Sequence, residues 1–247
     1  MLEYIILGII QGLTEFFPVS SSAHLVIMQS VLGIKEGGLV ISVVLHLGTV
    51  ISLIVFFFKD ILRALRSFKS IALILIVTLI TGVIGVAGKD FFESLFSSTK
   101  LLALTLIITG GILILTKRFM QAERKELNFK DALILGLFQA IAIIPGISRS
   151  GITISTLLFR KIARETAFKF SFLVSIPAIL GAVILEAKDI RIACEYNFTN
   201  LAAGFLVSLL TGLFSLWVLK LVLRKAKLYY FGYYCIAVAI LTMLFVK

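Results

Sequence analysis

QGLTEFFPVSSSAH, residues Gln11–His24, decides how this chain is read. The stretch begins within an apolar run that starts at Leu2, places Gln11, Thr14 and Glu15 on it, and breaks at Pro18. It continues through Ser20, Ser21, Ser22 and His24 before apolar residues resume at Leu25 and run to Leu32. Proline removes a backbone donor and crowds the preceding turn, so the stretch reads as a short helix, a break and a second short helix. Such a break at membrane depth is tolerated only where it lines protein or a cavity. The pattern returns at Ala132–Ile144, Pro145 and Ile152–Phe159, with PGISRSGIT (Pro145–Thr153) as the polar segment. Two polar clusters in apolar surroundings point to an intramembrane site for an anion.

The surroundings are those of a membrane protein. Hydrophobic residues make up 60% of the 247, well above the roughly 45–50% of soluble domains, and they fall in long runs rather than amphipathic stripes. Val40–Phe58 and Ser70–Gly88 carry no formal charge, and about 20 apolar residues suffice to cross the hydrocarbon core. Further spans read at Leu101–Thr116, Phe170–Leu185, Leu201–Leu223 and Phe231–Val246. The sequence therefore predicts an all-α polytopic membrane protein, one integral domain over 1–247, with two broken re-entrant helix pairs and about six full transmembrane helices. Pro177 reads as a kink within the fourth span. The net charge of +11 does not call for nucleic acid, because the basic residues cap the apolar runs instead of alternating with aromatics on a soluble face. Cys194 and Cys235 lack metal-ligand spacing and read as inert small residues. The first residues, MLEYIILGII, have no basic lead and run straight into Gln11 and Glu15, so no cleaved signal peptide is expected.

An ungapped overlay of GIIQGLTEFFPVSSSA (from Gly8) on GLFQAIAIIPGISRSG (from Gly136) pairs Gln11 with Gln139, Ser20 with Ser148, Ser22 with Ser150 and Ala23 with Gly151. The prolines fall one position out of register. This suggests a duplication, with a first repeat over 1–125 and a second over 126–247. Each half holds one re-entrant pair and three spans, an odd number, so the second repeat is inverted. If the first pair enters from outside, the inner segments Lys59–Lys69, Lys117–Lys130, Arg160–Lys169 and Lys220–Lys227 carry 17 Lys and Arg against 6 outside. That bias sets the orientation, with both termini outside. Tyr229, Tyr230, Tyr233, Tyr234 and Trp217 lie near span ends and read as an interfacial belt.

The chemistry lies in the two clusters. Gln11 and Glu15 are four residues apart and share a helix face with Thr14. Together they offer the oxygen ligands a hard divalent cation accepts, or an interhelical hydrogen-bond pair. After Pro18, Ser21 is followed three residues later by His24, whose ring is expected over the Ser21 hydroxyl as a base beside a nucleophile. One of the serines is expected to cap the helix. Arg149 is a guanidinium at membrane depth, which needs an anion: either a phosphate group or Glu15. Gly146, Ser148, Ser150, Gly151 and Thr153 surround it with backbone amides and hydroxyls at a helix start, a phosphate-binding setting. His46, within a span, has two readings, a residue lining the cavity or, favoured because it lacks a partner motif, a polar packing residue.

QGLTEFFPVSSSAH and PGISRSGIT closely resemble the two signature motifs of the undecaprenyl-pyrophosphate phosphatase family, the bacitracin-resistance type. The similarity extends through FSFLVSIPAILGA and the whole span pattern. The resemblance implies hydrolysis of undecaprenyl pyrophosphate to undecaprenyl phosphate and inorganic phosphate, which recycles the carrier lipid for peptidoglycan synthesis and confers bacitracin resistance. It implies catalytic roles for Ser21, His24 and Glu15. It further implies metal binding by Glu15 and Gln11, with Mg²⁺ or Ca²⁺ as the cofactor. Phosphate binding would fall to Arg149 with Ser20, Ser22, Ser148, Ser150, Gly151 and Thr153. Where many members carry Glu, this chain has Gln11, leaving Glu15 as the cluster's only carboxylate. The expected partners are the polyprenyl pyrophosphate and membrane lipids, with a homodimer left open. The expected location is the cell (inner) membrane, with the site open to the outer face. A transporter or flippase for an anionic or lipid-linked substrate is the competing reading, since broken helices also build transporters. It gives no use to a serine beside a histidine.

Overall fold

The computed structural model describes the chain except residues 35–37, 97, 120, 122–123, 188–196 and 246–247. Cys194 lies outside the described residues. All regular elements among them are helices: α1 Leu2–Phe16, α2 Ser21–Val31, α3 Gly38–Phe56, α4 Phe58–Leu65, α5 Phe68–Ala87, α6 Lys89–Leu95 and α7 Thr99–Leu115, then α8 Phe129–Ile141, α9 Arg149–Phe159, α10 Arg164–Ala187, α11 Phe198–Arg224 and α12 Tyr229–Phe245. Helices α3, α5, α10 and α11, and α7 together with the 3-10 turn that extends it to Phe119, are long and apolar enough to cross a membrane, and α12 is a shorter apolar helix of 17 residues. The chain is an all-α polytopic membrane protein. Each of the six runs read from the sequence falls on one of these helices, with ends displaced by a few residues, and Pro177 lies inside α10.

Both interrupted runs are broken as expected. Helices α1 and α8 have 15 and 13 residues, about 20 Å at 1.5 Å per residue, which is too short to cross a core of about 30 Å. The returning helices start at Ser21 and Arg149, not at the first apolar residues beyond. Their starts move forward because Ser20 and Ser148 cap them: Ser20 Oγ accepts the Ala23 N–H at 3.4 Å and Ser148 Oγ the Gly151 N–H at 3.2 Å. Serine satisfies amides that a new helix leaves open. Two short helices, α4 and α6, escape the span reading because they do not cross; α4 puts Asp60 and Arg63 on one side and Leu62 and Leu65 on the other.

Helix α1 packs along α11, α8 along α5, and α7 against α12, with α3 between α10 and α11. The α1–α11 contact is made at backbone distance. A Cβ on Gly12 would overlap Thr211 Oγ1 and approach Ser208 O to 2.7 Å, and Ser215 Oγ donates to the Gly12 carbonyl at 2.7 Å. Small residues and hydroxyls serve here because lipid offers no hydrophobic drive for helices to associate. Phe16, Phe57, Phe168 and Phe172 form the aromatic part of the core, with Phe168 and Phe172 centroids 5.1 Å apart.

The base of the α8–α9 pair is held by charge. Asp131 is fully buried in the first turn of α8, where it closes a capping box with Asn128. Arg124 reaches both of its oxygens at 2.9 and 3.0 Å, and Arg160, just past α9, donates from Nε at 2.9 Å. These arginines count toward the positive-inside bias in the sequence, and the fold uses them to tie the two ends of the α8–α9 pair together.

Candidate active site

The two breaks meet. A Cβ on Gly151 would lie 3.3 Å from Pro18 Cβ, Ser150 Oγ donates to the Phe17 carbonyl at 3.3 Å, and the Gly146 N–H points to Ser22 Oγ at 3.5 Å. Helix α7 holds the second break: Thr105 Oγ1 donates to Pro145 O at 2.7 Å, and Thr109 Oγ1 donates to Gly146 O at 3.0 Å while accepting the Ser148 N–H at 3.1 Å. Gly146 has φ +89°, and a Cβ there would overlap Thr105 Oγ1. Only glycine meets both demands.

Glu15 is where the side chains converge. Its Oε2 accepts the Ser21 hydroxyl at 2.6 Å and the Gln11 amide at 3.0 Å, and Oε1 is paired with the Arg149 guanidinium. His46 of α3 brings Nε2 to 3.7 Å from Oε2, while its Nδ1–H donates to the Ser42 carbonyl at 2.7 Å. A fully buried carboxylate needs several donors to offset the water it has lost, and Ser21, Gln11 and Arg149 supply them. Arg149 also donates to the Ser175 carbonyl at 3.4 Å. Glu15, Ser21 and Arg149 border a cavity of about 130 Å³, with Thr14, Ser20, Ser22, His46 and Ser148 along its polar wall and Phe96, Ala142, Ile143 and Ile147 along the apolar one. That is roughly ten times the ~10–15 Å³ that one ordered water occupies.

Several expected neighbours are placed differently. The Ser21–His24 pair is not made: His24 Nδ1 lies 2.8 Å from the Ser20 carbonyl, Nε2 lies 2.9 Å from Tyr234 Oη, and His24 is absent from the cavity wall. The i, i+3 spacing set the two side chains on adjacent faces, but Ser21 at the helix start turns back toward Glu15. His46, read as packing, lines the cavity instead. Ser20, Ser22 and Ser148 border the cavity as expected, whereas Ser150 and Thr153 lie behind Arg149 in a separate small space with Ser171 and Ser175. Gly151 is packed against Pro18. Thr153 Oγ1 donates to the Arg149 carbonyl at 2.7 Å, so it braces the helix turn that carries Arg149.

Of the tyrosines read as an interfacial belt, Tyr234 has a partner at the first break. Tyr229 and Tyr230 take Lys117 and Lys227 over their rings at 5.3 and 5.9 Å, but Tyr234 is more than a turn inside α12 and stacks on His24. Sequence reasoning ranked cavity lining second for His46 and missed Tyr234 and Phe96 as neighbours of the site. The usable signal for His46 was an imidazole in an otherwise uncharged span; no sequence pattern marks Phe96 or Tyr234.

For a divalent cation, the donor set is sparse. No group of three His, Cys, Asp or Glu side chains that could hold a metal occurs among the described residues. The fitting observation is Gln11 Oε1, a buried oxygen without a hydrogen-bond partner one helical turn before Glu15, on an amide whose Nε2 end faces the carboxylate in this structure. A carboxylate and a carbonyl oxygen suit a hard cation that takes its remaining ligands from water and phosphate oxygens.

The chain is similar over almost its whole length to several known proteins. Over 246 residues the chain is 44% identical to a protein of Carboxydothermus hydrogenoformans named undecaprenyl-diphosphatase, covering 94% of this chain and 92% of that one. A protein of Alkaliphilus metalliredigens with the same name is 41% identical over 98% of this chain and 97% of its own. One from Thermotoga petrophila, also so named, is 44% identical over 97% and 98%. The model of the family described as bacitracin resistance protein BacA matches residues 4–241, and the chain belongs to that family.

Proposed function

We propose that this protein is a lipid pyrophosphate phosphatase that hydrolyses undecaprenyl pyrophosphate to undecaprenyl phosphate and inorganic phosphate, the activity its relatives' names state. The observation that carries this reading is the Ser21 hydroxyl donating to Glu15 at 2.6 Å at the edge of a cavity that also presents Arg149. Phosphoryl transfer needs mostly positioning and charge stabilisation, and this arrangement supplies both.

When a pyrophosphate enters, Arg149 exchanges its Glu15 partner for phosphate oxygens, with the Ser20, Ser22 and Ser148 hydroxyls alongside. Glu15 Oε2, freed of part of its charge compensation, takes the Ser21 proton as Ser21 Oγ attacks the terminal phosphorus. The bond from that phosphorus to the bridging oxygen breaks, and undecaprenyl phosphate leaves with the electron pair. Water then attacks the phosphoserine, releases phosphate and restores the hydroxyl. A Mg²⁺ or Ca²⁺ ion, with Glu15 and Gln11 as its protein ligands, would supply further neutralisation of the phosphate charge.

The wider expectations remain part of this proposal. Residues 1–125 and 126–247 are two inverted repeats, a reading supported by α1 lying along α11 as α8 lies along α5. The buried, unpartnered Oε1 atoms of Gln11 and Gln139 support it too. The protein resides in the cell membrane with its site open to the outer face. In support, Phe96 on the cavity wall belongs to the segment between α5 and α7, opposite the basic segments Lys59–Lys69 and Lys117–Lys130. The test is phosphate release from undecaprenyl pyrophosphate by purified protein, with and without chelator. No release refutes the phosphatase; release untouched by chelator removes the cation. Ser21→Ala with near-full turnover removes the serine nucleophile.

A further inference from the structure

Ser20 and Ser148 hold the same place in the overlay of the two breaks, and each caps a helix, yet their backbones differ. Ser148 is extended, at φ −75° and ψ 117°, whereas Ser20 sits at φ 68° and ψ 97°. A positive φ outside glycine is disfavoured and persists only where the surroundings impose it. The residue four positions on differs as well: His24 in the first copy, Ile152 in the second.

The imidazole sits against the carbonyl of Ser20. The Ser20 carbonyl receives the His24 backbone N–H at 3.3 Å and is also 2.8 Å from ring Nδ1. A carbonyl only accepts, so Nδ1 carries the proton and Nε2 of the neutral ring accepts the Tyr234 hydroxyl at 2.9 Å. The two rings stack 5.7 Å apart at an interplanar angle of 8°. Helix α12 grips the same break on either side of Tyr234, with Phe231 5.1 Å from Phe17 and Cys235 Sγ 3.6 Å from the Pro18 carbonyl. A chain of contacts thus runs from α12 through the imidazole to the carbonyl of the residue just before Ser21.

We infer that His24 is a positioning residue and not the base of Ser21, and that Tyr234 is the second positioning residue that holds it. Together they keep Ser20 in its left-handed conformation and so aim Ser21 at Glu15. This inference rests on the phosphatase reading. Both ring nitrogens of His24 are engaged away from Ser21, and the Ser21 proton already has an acceptor.

The test compares His24→Asn, His24→Ala and Tyr234→Phe by phosphate release from undecaprenyl pyrophosphate, with thermal melting in detergent to show that each variant is folded. The Nδ2 of asparagine takes the place of ring Nδ1 and can donate to the Ser20 carbonyl, but it has no basic nitrogen. His24→Ala is expected to lower kcat roughly 100-fold, the scale of a misplaced nucleophile, at nearly constant KM, while His24→Asn recovers most of that loss. Tyr234→Phe, which keeps the stack and drops the donor, is expected to lower kcat by about 3- to 10-fold. An active wild type in which His24→Asn is as impaired as His24→Ala overturns the positioning role and returns the imidazole to the chemistry. An unaltered Tyr234→Phe removes Tyr234 from the proposal. A wild-type protein that releases no phosphate overturns the phosphatase reading itself.

Discussion

Replacing Glu15 by Gln keeps the shape of the side chain and removes its charge, so it separates what the carboxylate does for the fold from what it does for the reaction. The Glu15 side chain is wholly buried, and that of its partner Arg149 is 21% exposed. Breaking a buried pair costs about 3–5 kcal/mol because the survivor is left uncompensated. Partial exposure of the guanidinium places Glu15→Gln near the lower end, about 3 kcal/mol, or roughly 6–12 °C of melting temperature for a chain of this size. Arg149→Met should cost a similar amount by stranding Glu15. The double variant removes both charges and should lose much less than the sum, since a neutral pair of similar volume is often as stable as the ions. Activity should follow a different rule. Loss of the proton acceptor 2.6 Å from Ser21 should lower kcat about 10²–10⁴-fold, and the double variant should recover none of it. The assays are thermal unfolding in detergent and phosphate release from undecaprenyl pyrophosphate. Strictly additive stabilities would show that the pair carries no coupling, and Glu15→Gln retaining more than about a tenth of wild-type turnover would refute Glu15 as the acceptor.

Two further expectations follow from the same geometry. Gly146→Ala puts a Cβ onto Thr105 Oγ1 at a residue whose φ is +89°; the left-handed conformation alone costs about 1–2 kcal/mol. The overlap adds to that, so lower melting temperature and lost turnover should appear together, and a stable, active variant would contradict the described turn. Phe96→Cys should react with a membrane-impermeant maleimide added outside intact cells, and an excess of undecaprenyl pyrophosphate should slow the labelling. Labelling only after permeabilisation would reverse the proposed orientation.

Much of the fold is legible because membrane segments are written in composition. Six apolar runs became six helices with ends shifted by a few residues, and Pro18 and Pro145 marked both breaks. The shifts have a local cause: Ser20, Ser98 and Asn197 capture helix-start amides, so α2, α7 and α11 begin before the apolar run does. The site was legible in its residue types but not in its partnerships. Gln11, Glu15, Ser21 and Arg149 do converge, as their cost in lipid demands. The Ser21–His24 pair failed because a three-residue spacing assumes that both residues already sit within a regular helix. Ser21 is the first residue after a strained cap, and its hydroxyl faces back across the break.

By itself the sequence determined the helical membrane architecture, the positions of the two breaks and the family. Each follows from short-range rules: how many apolar residues span a bilayer, what proline does to a helix, and which motifs stand around it. Tertiary structure alone decided which histidine meets Glu15. His24 is three residues from Ser21 and turns to Tyr234, whereas His46, on another helix, comes to 3.7 Å from the carboxylate. The physical reason lies in helix packing. Gly12 lets α1 press against α11, Thr105 and Thr109 of α7 fix the second break, and α12 closes on the first. Those approaches, between residues as much as 217 positions apart, set which side chains share the cavity.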